Sequence, residues 1–200
     1  MTPKYPKALT AVIRSLSHLP GIGKRTAERL AFDMMTWQDK DMQRLSQQIS
    51  ELHESINECP QCHAWCETEI CDICSDSRRD ESLICIVEDI HQMYNIEKSG
   101  SYRGLYHILG GKISPLNRRS ADDLNITTLI NRCSQAQTSE VIIALSPDVE
   151  GEATSHYLTE LLETENIDIS RIALGVPLGA DLSYVDPASM AMSINKRIKL

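Results

Sequence analysis

The chain has 200 residues, 42% hydrophobic and 24% charged, with a formal net charge of −8. That content can bury the core of one or two domains, and no apolar run approaches the roughly 18 residues of a membrane span. The opening MTPKYPKALT lacks the apolar stretch of a secretory leader, and with seven cysteines the expected compartment is a reducing cytoplasm, where paired thiols hold metal.

The acidic total hides a basic end. Residues 1–37 carry Lys4, Lys7, Arg14, Lys24, Arg25 and Arg29 against Glu28 and Asp33, a surplus of four positive charges, so the remainder sums to −12. An acidic body with one basic end can bind phosphate locally, although a solvated helix face gives the same count. Leu9, Val12, Ile13 and Leu16 repeat at helical spacing, LPGIG interrupts, and RTAERLAFDMM resumes the pattern. Met42, Leu45, Ile49, Leu52 and Ile56 predict a third helix.

The interruption carries chemistry. In LPGIGKRTAERLA, residues 19–31, Pro20 and Gly21 stop the first helix, and Gly21 and Gly23 leave backbone amides uncovered. The next helix starts near Lys24, so its N-terminal amides and the charges of Lys24 and Arg25 converge. This is the logic of a helix-hairpin-helix, which grips DNA backbone without reading sequence. A plain helix–helix turn with solvated lysines is the alternative.

Next comes CPQCHAWCETEICDIC, in which Cys59, Cys62, Cys71 and Cys74 form two C-x2-C pairs eight residues apart. Two such knuckles close a four-thiolate shell around one zinc ion at about 2.3 Å per bond, with no open position. Such a site is structural, because metal binding and local folding coincide. Cys66 and His63 lie between the pairs and compete as ligands, and free thiols or a disulfide remain alternatives.

After RRD the pattern turns to strands: LICIV (83–87), YHIL (106–109), VIIAL (141–145) and RIALGV (171–176), with helices expected over 123–133 and 152–163. Alternating strands and helices predict a parallel sheet covered on both faces, hence an α/β domain. Cys85 in a strand and Cys133 in a helix read as core. GGKIS at 110–114 is no P-loop, since Tyr106 stands where glycine is required and Ile113 where Ser or Thr is.

Glu88 ends the first strand, and Asp148, Glu150 and Glu152 follow the third, where ligands of parallel sheets gather. Carboxylates collected there could hold Mg²⁺, or could simply favour the following helix N-terminus. The arrangement resembles a Toprim domain, the metal-binding fold of primases and type IA topoisomerases, which has a Glu after one strand and D-x-D before EGE. Aligned on EGEA, this chain has Ser146 at the first Asp position and Asp148 at the second, so a two-metal phosphoryl-transfer site is incomplete.

With these parts in this order, the chain resembles the RecR family of bacterial recombination mediators nearly end to end. LPGIGKRTAERLAF, the two C-x2-C pairs, RRD, LICIVE, YRGLYHILGGKISPL, VEGEAT and RIALGVPLGADLSYVD carry the likeness. Lys24 stands where the family usually has Pro, Asp148 where it more often has Thr, and NRRSADDL replaces a glycine-containing turn. The resemblance implies a helical domain with the hairpin at 1–57, a C4 zinc finger at 58–76, a Toprim domain at 80–176 and a C-terminal oligomerisation segment at 177–200. It further implies a non-enzymatic DNA-binding protein, a homo-oligomer and often a tetrameric ring. With RecO and RecF it would act at gapped or damaged DNA and help load RecA. Gly21, Gly23, Lys24 and Arg25 would contact DNA, and Glu88, Asp148, Glu150 and Glu152 would mark a surface for a partner or Mg²⁺. Gly175, Pro177, Gly179 and Asp181 look like part of the segment that joins subunits. Two other readings stay open: a metal-dependent Toprim nuclease or strand-passage enzyme, and a scaffold that binds only proteins.

Overall fold

A computed structural model describes residues 5–135, 138–163 and 167–198. The chain divides at the Ser55–Ile56 peptide into two compact units. The first holds α1 (Lys7–Leu16), α2 (Lys24–Met34) and α3 (Asp39–Ser55). Ile13, Ala27 and Ala31 are buried where α1 meets α2, with Tyr5, Leu9, Leu16 and Ile22 packed around them. Two alanines on one face of α2 let the helices approach closely, which shapes the hairpin. Gly21 adopts φ 79 in the connecting turn, a left-handed angle that any side chain would strain.

In the second unit, a small hairpin comes first, pairing β1 (Asn57–Glu58) antiparallel with β2 (Trp65–Cys66). A single turn, α4 (Asp72–Ser75), follows. Next are β3 (Asp80–Val87), α5 (Ile90–Ser99), β4 (Gly104–Ile108), α6 (Ile126–Gln135), β5 (Glu140–Ile143), α7 (Val149–Leu162) and β6 (Asp168–Arg171). The last helix is α8 (Pro187–Asn195). β4, β3, β5 and β6 lie side by side in that order, and every pair is parallel.

Strand alternation sorts the core into two layers. Ile84, Ile86, Val141 and Ile143 face one side, where Leu129 and Cys133 of α6 and Leu158 and Leu162 of α7 cover them. Cys85, Val87, Tyr106, Ile108 and Ala144 face the other, against Ile90 and Met93 of the α5 segment and against Cys59, Cys62, Ala64 and Cys71. Each fully buried Ile or Leu contributes roughly 1.5–3 kcal/mol of transfer free energy. From β3 the chain steps outward to β4, then crosses back to β5 and on to β6. A uniform hand of crossover puts α5 on one face and α6 with α7 on the other, as observed. The reversal leaves a crevice at the carboxyl ends of β3 and β5, the switch point where open sheets bind ligands.

Expected elements shift at their ends: the helix expected over 123–133 runs Ile126–Gln135, with Ala121–Asp123 as a separate 3-10 turn before it. RIALGV predicts a strand over 171–176, but β6 covers Asp168–Arg171. It pairs with β5 from Glu140↔Asp168 to Ile143↔Arg171. Only the Ile172 amide reaches back, to Ile143. α7 begins at Val149, three residues before the expected start, because the Asp148 side chain accepts from the Gly151 amide at 2.8 Å and caps the helix.

Candidate metal centre and nucleic-acid interface

The four cysteines of the paired motif converge: the sulfurs of Cys59, Cys62, Cys71 and Cys74 all lie within 4.8 Å of one another, three of them buried. Local backbone explains each pair. The Cys59 amide donates to Ala64 and the His63 amide to Cys59, which folds residues 59–64 into a knuckle with His63 at φ 64. The second knuckle is the start of α4, where Cys71 Sγ accepts from the Cys74 amide at 3.4 Å. The competing donors point elsewhere. Cys66 donates to the Thr68 carbonyl at 3.0 Å, while the His63 ring meets Glu58 at Nδ1 and Thr128 at Nε2.

The donor set fits a soft divalent cation. Cys62 shares a hydrogen bond with Cys71 at 3.5 Å, and by donating to Cys71 and Cys74 it is pushed far above the ordinary thiol range. Hydrogen bonds from Cys62, and next from Cys74, pull Cys71 down to about 2. Cys74 is also pulled down by Cys62, but its own bond to Cys71 and its burial outweigh this and push it up to about 12. Thiols this close share protons, and a doubly charged ion bound by the four sulfurs lets protons leave. Arg132 braces the cluster: its guanidinium donates to the Tyr106 carbonyl at 2.7 Å, to Gln61 at 3.1 Å and to Cys74 Sγ at 3.8 Å. The Ile108 amide donates to the Cys62 carbonyl, so the cluster is tied directly to β4.

At the hairpin, Gly23 is the N-cap of α2 and no side chain caps the helix. The first-turn amides are thus left for solvent or an anion. Lys24 and Arg25 are exposed beside them. None of Lys7, Arg14, Lys24, Arg25 and Arg29 forms an ion pair among the described residues. Lys4 lies outside the described residues.

The acidic edge assembles at the switch point, but its members are engaged. Glu88 accepts from the Ser146 amide at 2.5 Å. Asp148 accepts from the Lys112 ammonium, which also stands 3.6 Å from Glu88. That contact holds the Asp148 carboxyl below its ordinary value and raises Lys112. Glu150 accepts from buried Ser114 at 2.5 Å, and Glu152 forms a two-point pair with Arg171 at 2.7 and 2.6 Å. Ser146 Oγ accepts from Gln92 at 3.3 Å. Gly151 is required here because a Cβ would run into the Ser146 carbonyl oxygen. The loop after β4 delivers both Lys112 and Ser114. Residues 117–124 are tied back to this loop by a Ser114–Arg119 bridge and ordered by a Ser120–Asp123 capping box.

Sequence reasoning named the acids but missed Lys112, Ser114 and Arg171. They come from loops and strands distant in sequence, and no spacing rule connects them. Lys112 drew notice only within a failed P-loop pattern.

Residues 82–173 match the family described as Toprim domain, and residues 9–53 match the one described as RecR, helix-hairpin-helix. A protein named Recombination protein RecR from Deinococcus radiodurans is 43% identical over 194 residues, covering 97% of this chain and 87% of that protein. The proteins of that name from Desulforapulum autotrophicum and Finegoldia magna are 43% and 42% identical, each covering 96% of this chain and 97% and 96% of their own length.

Proposed function

The chain belongs to the RecR family of recombination proteins, and from that premise we propose that it binds DNA through the helix-hairpin-helix and mediates recombinational repair without chemistry of its own. The observation that carries the reading is the turn at Gly21–Arg25: exposed cations without ion-pair partners among the described residues, beside a helix N-terminus that no side chain caps. Gly21 and Gly23 let a phosphate approach the amides, and Lys24 and Arg25 supply the charge. Acting with RecO and RecF to help place RecA on single-stranded DNA is the finer form of the proposal. A cytoplasmic site of action goes with it, and no described helix is long and apolar enough to cross a membrane.

In this reading Cys59, Cys62, Cys71 and Cys74 hold one structural zinc ion per chain. Glu88, Asp148, Glu150 and Glu152 present a surface to a protein partner. Residues 177–200 join subunits into a homo-oligomer, a tetrameric ring in its most specific form; 199–200 lie outside the described residues. The reading is supported by α8, which has no buried residue, and by Leu178, Leu182 and Tyr184, which are exposed. A nuclease reading finds no support, because Ser146 supplies no carboxylate and each acid of the edge is held by another protein group.

The test is the salt dependence of DNA affinity. Lys24→Ala with Arg25→Ala should weaken binding and flatten the slope of log affinity against log salt by about 0.9 for each duplex phosphate no longer neutralised. An unchanged slope would move the DNA interface away from the hairpin.

A further inference from the structure

We infer that on this Toprim edge the ammonium of Lys112 takes the place a divalent cation would hold, so that the edge neither needs nor recruits Mg²⁺. The inference is independent of the DNA-binding reading, because it concerns only how the acids at the sheet switch point are neutralised.

Position carries the argument first. Glu88 leaves β3 and Asp148 follows β5, the two strands that flank the switch point. Lys112 arrives from the loop after β4 and sets its Nζ between them, bonded to Asp148 and 3.6 Å from Glu88. The Lys112 and Glu88 side chains are only 16% and 12% exposed, so the pair sits in the crevice and not on a solvated rim. A metal ion bridging the same carboxylates would have to displace the ammonium or sit against it. Two like charges a few ångströms apart repel strongly when partly shielded from water.

Charge matching points the same way. At the position where a full acid set would carry a third carboxylate, Ser146 offers a neutral hydroxyl that accepts from Gln92. One negative charge fewer is met by one positive charge fewer, a lysine in place of a divalent ion. The remaining acids are also withdrawn: Glu150 is held by Ser114, and Glu152 is held by both Arg171 nitrogens. Mg²⁺ binds oxygen ligands at strict octahedral geometry and gives up its waters reluctantly. Carboxylates already occupied by an ammonium, a hydroxyl and a guanidinium leave it little to gain.

The experiment uses the full-length, metal-loaded protein with Mn²⁺ as an electron-spin-resonance probe, and thermal unfolding with and without millimolar MgCl₂. Wild type should bind no Mn²⁺ at the edge, and its midpoint should not respond to Mg²⁺. Lys112→Ala should gain one Mn²⁺ per chain that wild type lacks, and Mg²⁺ should raise its midpoint. Lys112→Met is the alternative if the alanine variant folds poorly, and Lys112→Arg should behave as wild type. Adding Glu88→Gln to Lys112→Ala should remove the gained site, which separates it from the cysteine cluster. The inference is overturned if wild type binds one Mn²⁺ that Glu88→Gln abolishes. It is equally overturned if removing Lys112 leaves the Mn²⁺ titration and the Mg²⁺ response unchanged.

Discussion

His107 lies in β4 with none of its surface reaching solvent, and its Nε2 faces the Asn125 carbonyl at 2.8 Å. A carbonyl can only accept, so that nitrogen carries a proton whatever the charge of the ring. Among the described residues Nδ1 has no hydrogen-bond partner of normal geometry, and the His63 ring lies edge-on with its centroid 5.3 Å away. Burial, more than any neighbour, drives the His107 pKa from 6.5 down to about 3. Between those values the unfolded chain takes up a proton that the native state refuses, so stability falls as pH drops below 6.5 and is constant above it. One unit below that point, near pH 5.5, the loss is about 1.4 kcal/mol. Denaturant unfolding at about pH 7.5 and 5.5 should show this loss in wild type and its absence in His107→Gln, which keeps a donor for Asn125. Equal losses in both proteins would place the proton uptake on another group. The sequence marked His107 only as part of an apolar strand. Its demand for a partner was illegible, because Asn125 lies eighteen residues away across a crossover.

The metal knuckles show which elements a sequence can announce. The spacing of Cys59, Cys62, Cys71 and Cys74 named the cluster, because each C-x2-C pair is a local turn and needs no distant information. What the cluster packs against was not legible. Cys59, Cys62 and Cys71 share one apolar layer with Val87, Met93, Tyr106 and Ile108, so the module forms part of the wall of the sheet. β4 and the second half of β3 were readable as apolar runs because they are buried on both faces, and β5 because its second face is half-buried. β1 and β2, two residues each, carry no periodicity at all. Cys71→Ser tests the wall. Serine can still cap α4 through its oxygen, so local helix geometry survives while one thiolate is lost. The variant should bind less than one zinc per chain by elemental analysis and lose on the order of 3 kcal/mol or more of stability. Zinc retained at full stoichiometry would bring Cys66 or His63 back as a ligand, against the directions in which they point.

At the scale of the whole molecule, the proposed function asks an acidic chain of net charge −8 to hold a polyanion. The surplus cations near the hairpin are few, so one chain can neutralise few phosphates and has a weak, salt-sensitive grip. Assembly removes the difficulty, because several hairpins presented together bind by effective concentration, with gains of roughly 10²–10⁴ over a single site. The segment that would build the assembly is incomplete within one chain. α8 is held to Val176 by a 2.8 Å bond from the Val176 amide to Ser193, yet buries none of its residues, and Leu178 and Tyr184 are 105% and 89% exposed. A nine-residue helix with no buried face is marginal in water without packing. Leu182→Asp combined with Tyr184→Asp should therefore reduce the mass measured by light scattering to that of one chain. The same variant should lose DNA affinity by a factor within that 10²–10⁴ range although Lys24 and Arg25 are untouched, and its salt slope should flatten because fewer phosphates are met at once. If mass falls while affinity and slope hold, a single hairpin suffices and avidity plays no part. If the mass itself is unchanged, subunits are joined elsewhere, and the exposed apolar side chains of residues 178–184 face a different partner.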